Sequence, residues 1–110
     1  MFKTTITNIE NKIKHNSAIQ DKERTELLKL LSSLKNEISE LSKTDEEHAE
    51  SITGFAQTSA HEATRKDKKE DLLDLSLKGL TSSVNELESS HPKLVEIVNR
   101  ISYMLSNIGI

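Results

Sequence analysis

Apolar side chains recur every three or four residues along most of the chain, which is the period of an α-helix. The first stripe of this kind predicts a short helix over residues 2–14, and its members are Phe2, Ile6, Ile9 and Ile13. After a polar interruption, a second stripe steps four, three, four, three, as a coiled-coil seam does, and predicts a helix over residues 20–43. That second stripe consists of Leu27, Leu31, Leu34, Ile38 and Leu41.

The second half of the chain repeats this spacing twice. A helix is predicted over residues 68–89 from the stripe Leu73, Leu77, Leu80, Val84 and Leu87. Pro92 suits the first turn of a further helix, because the amide hydrogen that proline lacks would be unpaired there. We therefore predict a last helix over residues 92–108, capped by Ser90 or His91 and closed by Gly109. Its stripe is Leu94, Val98, Ile101, Leu105 and Ile108.

The middle of the chain leaves two architectures open. Thr44 and Glu47 have the spacing of a capping box, so residues 20–64 are either one kinked helix or two helices over 20–43 and 45–64. The charged run Arg65–Asp71 contains a second box-like pair, Asp67 and Glu70, and is predicted to be a turn between antiparallel helices. The predicted fold class is all-α, a single domain over residues 1–110. It is either a long antiparallel helical hairpin or a helical bundle with heptad packing.

The segment TGFAQTSAHEATR, residues 53–65, is almost free of large apolar side chains. Small residues nevertheless continue the helical spacing there, at Ala49, Thr53, Ala56, Ala60 and Ala63. Small side chains let two helix axes approach closely, so we interpret this row as a tight helix contact, and a close backbone approach would explain Gly54. In this interpretation His61 and Glu62 face water. The alternative is a ligand groove lined by Gln57, Ser59 and His61.

Composition excludes several classes of function. Only three residues are aromatic and the net charge is -3, which argues against binding to nucleic acid, because such binding uses stacking and phosphate neutralisation. No segment has the apolar length of a signal peptide or of a membrane span. The chain has no cysteine, which permits a reducing compartment. We expect a cytoplasmic protein that binds neither nucleic acid nor a membrane.

One pattern could hold metal. Asp45 with His48 forms D-x-x-H, and Glu88 with His91 forms E-x-x-H. Carboxylate and histidine pairs on neighbouring helices hold two metal ions in ferritin-like bundles. All four residues also have ordinary roles near helix ends. HEATR, residues 61–65, lacks the second histidine of a zinc-hydrolase motif, and no nucleophile elbow or phosphate-binding loop is present. We therefore predict no catalytic residues and no cofactor.

Two segments together resemble a known family, namely SITGFAQTSAHEATR and LSLKGLTSSVNELESSHPKLVEIVNRISYMLSNIGI. They are similar to short bacterial proteins grouped as domain-of-unknown-function family 4404, whose members end in an H-P-K-L … L-S-N-x-G-I pattern. The likeness is most specific over residues 88–110. Lys69 and Glu70 stand where asparagine and proline are expected. The resemblance implies a stand-alone bacterial protein with a helical fold, and it supplies no catalytic residue.

We therefore predict a non-enzymatic helical protein that self-associates, as a dimer or tetramer, and serves as an interaction or scaffold module. A different protein is left open as a further partner. The residues predicted to carry the packing are Leu27, Leu31, Leu34, Ile38, Leu41, Ala56, Ala60, Ala63, Leu94, Val98, Ile101 and Leu105. The competing hypothesis is a metal-binding bundle that uses Asp45, His48, Glu88 and His91.

Overall fold

The apolar stripes form five α-helices in a computed structural model, which describes residues 2–109 of the chain. Met1 and Ile110, the ends of the predicted domain, lie outside the described residues. The helices are α1 (Phe2–Lys14), α2 (Asp21–Ser42), α3 (Glu46–Thr64), α4 (Glu70–Ser82) and α5 (Pro92–Ile108), with a short 3-10 helix over Asn85–Leu87. No strand is present between Phe2 and Gly109. The all-α fold class is therefore confirmed.

Of the two predicted architectures, the chain forms the bundle. One continuous helix over residues 20–64 would be about 67 Å long, whereas the longest dimension of the molecule is 37 Å. The chain instead breaks over residues 43–45, and α2 and α3 contact each other. Helix α3 is at the centre of the arrangement, because it contacts each of the other four α-helices.

The caps at two helix starts differ from the predicted capping boxes. Helix α3 is capped by Asp45 instead of Thr44: the backbone N–H of His48 donates to Asp45 Oδ1 at 3.0 Å. The Thr44 hydroxyl instead donates backwards to the carbonyl of Leu41. At the start of α4, Lys69 is the N-cap residue and makes no side-chain capping bond, so the predicted Asp67 box does not form.

The predicted helix over residues 68–89 was wrong at its end, since α4 stops at Ser82 and a 3-10 turn follows. The sequence there is Thr-Ser-Ser-Val-Asn, residues 81–85. Short hydroxyl side chains bond to nearby carbonyl groups and so compete with the helical pattern. The Ser83 hydroxyl donates to the carbonyl of Leu80, and that of Thr81 donates to Leu77. The prediction extended the helix through this break because it used only the spacing of apolar residues.

A single hydrophobic core joins all five helices. Leucine and isoleucine fill it from α1, α2 and α5, whereas α3 supplies mainly alanine together with the fully buried Ile52. The core also includes Ile6, Ile9 and Ile13 of α1, which packs against α2 and α3. The loop after α1 is tied to α2 by Arg24, which donates to the carbonyls of Asn16 and Ile19.

Of the two glycines with a predicted role, Gly109 ends α5 as predicted and Gly54 does not have the expected role. A Cβ atom added at Gly54 would meet nothing within 4 Å, so the expected close backbone approach at this residue is wrong. At Gly109, an added Cβ would lie 2.3 Å from Leu73 Cδ2, and the φ angle is -79°. Gly109 is thus the C-cap of α5 in a right-handed backbone conformation, and the Leu73 side chain of α4 lies where a larger residue would place its Cβ atom.

No helix within residues 2–109 combines the length and the apolar character that crossing a membrane would need.

Candidate functional site

The surface carries an apolar strip where α3 and α4 lie side by side. Four residues define this strip: Phe55 on α3 and Leu72, Leu75 and Gly79 on α4. Leu75 is 67% exposed, Leu72 is 42% exposed and Phe55 is 41% exposed. Leu72, Leu75 and Gly79 are three and four residues apart, so they share one side of α4. Leucine side chains at such exposure are usually covered in an assembly when they are grouped together.

The strip is distinct from the side of α4 that faces the core. Leu73, Ser76 and Leu80 are buried, and they follow the exposed residues by one position along the helix. A helix turns about 100° per residue, so the row of Leu72, Leu75 and Gly79 lies about 100° around α4 from the row that faces the core. Leu72 and Leu75 therefore do not merely widen the buried stripe of α4; they form a second apolar face.

Phe55 crosses from α3 to α4 and closes one end of the strip. A Cβ atom added at Gly79 would lie 2.2 Å from Phe55 Cε1, so the ring lies directly on the glycine. The absence of a side chain at Gly79 lets α3 and α4 approach here, and the ring remains partly exposed above the contact. The close approach that the sequence suggests for Gly54 is therefore found at the other glycine of the helix pair.

Charged residues border the outer side of the strip. Asp71 and Lys78 both lie on α4 and are exposed. They are seven residues apart, so they lie on the same side of the helix, two turns from each other. Within residues 2–109 neither of them forms an ion pair. Asp74, which lies between them and is also exposed, adds a second carboxylate on this side of α4, so the strip is bordered by charges of both signs.

A second surface feature is an open groove of about 1010 Å³ between α2 and α5. Its apolar wall includes Val95 and Met104, and Tyr103 at its edge is 70% exposed. Arg100 Nη2 donates to Glu26 Oε1 at 2.9 Å and so joins α5 to α2 across the groove. The remaining carboxylates on its walls are those of Glu23, Glu88 and Glu96. The groove is therefore acidic and partly apolar.

The predicted metal residues do not come together as one set. His48 Nδ1 lies 3.3 Å from Asp45 Oδ2, and its Nε2 lies 3.3 Å from Glu86 Oε1. The carboxylate that reaches His48 from the other half of the chain is thus Glu86, whereas Glu88 lines the groove and His91 contacts Ser90 Oγ at 3.0 Å. Between Phe2 and Gly109, no group of three or more histidine, cysteine, aspartate or glutamate side chains is arranged to hold a metal ion.

The predicted packing residues all lie in the interior. Each of the twelve is at most 2% exposed and belongs to the hydrophobic core. They are Leu27, Leu31, Leu34, Ile38, Leu41, Ala56, Ala60, Ala63, Leu94, Val98, Ile101 and Leu105. Contacts between α2 and α5, and between α3 and its neighbours, occupy these side chains within one copy of the chain. They do not form a surface that a partner could reach in the folded protein.

Burial also decides between the readings of residues 53–65. Gln57 and His61 are exposed while Ser59 is fully buried, so these three side chains do not line one groove. Glu62 is only 7% exposed, so the expectation that it faces water was wrong. Its carboxylate accepts a hydrogen bond from Arg65 Nη1 at 2.9 Å. An arginine three residues after a glutamate was the sequence signal for this pair.

These features define a class of protein, a small all-helical bundle with an exposed apolar strip where α3 and α4 lie side by side. The chain belongs to the family described as Domain of unknown function (DUF4404), whose model matches residues 27–110. The match includes most of α2 and all of α3, α4 and α5, while α1 lies before it. No curated protein and no solved structure matches the chain.

Proposed function

We propose that the protein is a non-enzymatic, cytoplasmic interaction module that associates with further copies of itself through the apolar strip. The observation that carries this proposal is the exposure of Leu72 and Leu75 beside Phe55. Full burial of a leucine contributes about 1.5–3 kcal/mol, and a second apolar surface placed here would supply part of this for Leu72 and Leu75, which are 42% and 67% exposed.

The strip suits a second copy better than the α2–α5 groove does. The groove walls carry four glutamates and one arginine, and the whole chain has a net charge of -3. A second copy placed in the groove would therefore meet like charge, which is unfavourable across an interface. The strip has two acidic residues, Asp71 and Asp74, and the basic Lys78 along its outer side, so the excess of negative charge is smaller there than in the groove.

The expected association is weak. Stable interfaces bury about 800 Å² on each partner, and the strip spans only about two turns of α4. We expect a dissociation constant above about 1 μM, at the weak end of specific protein complexes. Such a module would assemble where its local concentration is high, as a scaffold component does.

Sedimentation equilibrium over about 10 μM to 1 mM tests the proposal. The mean molar mass should rise with concentration, and Leu75→Ser should keep the protein monomeric over the same range. Leu75 is mostly exposed, so this substitution should leave the thermal melting of the monomer unchanged. A wild-type protein that stays monomeric throughout would reject self-association.

The alternative function, a metal-binding bundle, would use His48 and its two carboxylate neighbours. Asp45 caps α3, and both ring nitrogens of His48 already face carboxylate oxygens. A cap and a contact between chain segments account for these residues without an ion. Elemental analysis of the purified protein tests the alternative: iron, zinc or manganese at one ion per chain, lost in His48→Ala, would favour metal binding over the interaction module.

A further inference from the structure

The apolar strip has the spacing of a short coiled-coil seam. Leu72, Leu75 and Gly79 step three and four residues, which are the steps between successive core positions of a heptad. Leu72 and Gly79 take one type of core position, and Leu75 takes the other. Leu72 and Leu75 are exposed beside the row of α4 that faces the core, whereas Gly79 is already covered by Phe55 of the same chain. The two leucines are therefore the part of the seam that a second helix could cover.

The charged edge of the strip indicates the direction of that partner helix. Asp71 and Lys78 each come directly before a core position, Leu72 and Gly79 respectively. In an antiparallel pair of such helices, residues of this flanking type face one another across the seam. If Leu72 packs against Leu75 of a second copy, Asp71 of one copy faces Lys78 of the other, and the same contact recurs at the symmetry-related position.

A parallel pair would lack this match. In parallel coiled coils, the residue before a core position faces the residue that follows the other core position in the partner. Here those residues are Ser76, which is buried, and Ser83. No pair of opposite charges would form, so only the antiparallel direction uses the charges that border the strip.

From this complementarity we infer that two copies of the chain pair through α4, antiparallel and related by a two-fold axis, with Asp71 of each copy against Lys78 of the other. This inference rests on the proposed self-association and specifies its geometry. A two-fold axis makes the contact closed, because each copy presents the same surface to the other. Phe55, whose ring covers Gly79 at the end of the strip, would flank the contact on both sides. The assembly is therefore a dimer.

Charge reversal at the two flanking positions tests this geometry. Asp71→Lys places two like-charged pairs in the dimer and should raise the dissociation constant about tenfold, which corresponds to about 1.4 kcal/mol. Lys78→Asp should raise the dissociation constant by a similar factor, because each contact in the dimer would then bring two carboxylates together. The double variant Asp71→Lys/Lys78→Asp restores both pairs and should dimerise about as well as the wild type.

A mixture of the two single variants adds an internal control. Each variant should be monomeric alone at a concentration where the one-to-one mixture forms heterodimers, because all flanking pairs are then of opposite charge. The difference should shrink as salt is added, since exposed charges are screened within about 10 Å at 0.1 M salt. Both positions are exposed, so circular dichroism melts should show that every variant folds.

Separate outcomes would reject the inference and the function on which it rests. If the wild type is monomeric up to millimolar concentration, self-association and the α4 pairing are both wrong, and the strip would serve a different protein. If the wild type associates but charge reversal changes nothing, self-association stands and the α4 pairing is rejected. If both single variants weaken association and neither the double variant nor the mixture restores it, the antiparallel register is wrong.

Discussion

Two regions of the bundle solve the same packing problem with side chains of different size. Where α2 meets α5, the contact is filled by leucine, isoleucine and valine, and these side chains are almost fully buried. Along α3, alanine occupies most of the corresponding positions, from Ala49 to Ala63, and these residues are equally buried. Large side chains on α2 and α5 keep the helix axes apart, while small ones on α3 let its neighbours approach.

The difference explains the central position of α3. A helix with small residues around much of its circumference can be contacted from several directions, and α3 contacts all four other helices. Its buried set also extends beyond one stripe, since it includes Thr53, Ser59 and Glu62. The two regions should therefore respond in opposite ways to a change in side-chain size. The leucine-rich contact is sensitive to truncation, and the alanine-rich contact is sensitive to enlargement.

Truncation in the leucine-rich contact should have the largest effect. Leu34 is fully buried, so Leu34→Ala removes apolar contacts and leaves a cavity. Such changes cost about 2–5 kcal/mol of unfolding free energy, and chemical denaturation of the monomer would measure it. Leu75→Ala is the matched control, because Leu75 is mostly exposed and should change the value by less than about 0.5 kcal/mol. Equal effects at the two positions would contradict the burial described for α2.

Enlargement in the alanine-rich contact should have the next largest effect. Ala60 is 1% exposed, and Ala60→Leu would push α3 away from its neighbours at a cost of about 1–3 kcal/mol. Gln57→Leu adds a leucine to the exposed face of the same helix and controls for the change in composition. The proposed sensitivity to size is disproved if Ala60→Leu melts at the wild-type temperature.

Substitution of a glycine by alanine should have the smallest effect on stability. Two such substitutions compare a glycine that has open space around it with one that is in close contact with a side chain. Gly54→Ala adds a methyl group where nothing lies within 4 Å, so the higher helix propensity of alanine should stabilise the protein by about 1 kcal/mol. Gly79→Ala makes the same change on α4, where the added atom would collide with the ring of Phe55. It should not give this gain. The comparison is made by differential scanning calorimetry, and equal stabilisation at both positions would show that the Phe55 ring moves away from an added Cβ at residue 79 without a cost.

Apolar spacing was sufficient to predict the helices, because each one buries a stripe at three- and four-residue steps. The starts and ends were harder to predict. Thr44 and Asp45 are both residue types that cap helices well. The sequence does not show which of these neighbours accepts the hydrogen bond from the first turn of α3, and in the structure it is Asp45. At the end of α4, the hydroxyls of Thr81 and Ser83 donate to backbone carbonyls, but the Thr53 hydroxyl does the same inside α3. Neither such bonds nor apolar periodicity is therefore sufficient to locate this helix end in the sequence.

The apolar strip was missed for a related reason. In the sequence, Leu72 and Leu75 lie next to Leu73 and Leu77, so they read as part of one broad stripe. The position of α3 decides which of these two rows of α4 faces the core. That position depends in part on the contact between the Phe55 ring and Gly79. Tertiary contacts of this kind have no local signature. The sequence feature that relates to the strip is the spacing of Asp71 and Lys78, which places both of them on the same side of α4.

The packing of α1 determines where this protein can be truncated without exposing its core. The family match begins at Leu27, but Ile6, Ile9 and Ile13 of α1 fill the core between α2 and α3. Each isoleucine contributes about 1.5–3 kcal/mol by burial, and Arg24, which holds the connecting loop, also precedes the match. A fragment that starts at the family boundary would expose this side of the bundle to water. The segment that the family model matches and the set of helices that share the hydrophobic core are therefore different lengths of the same chain.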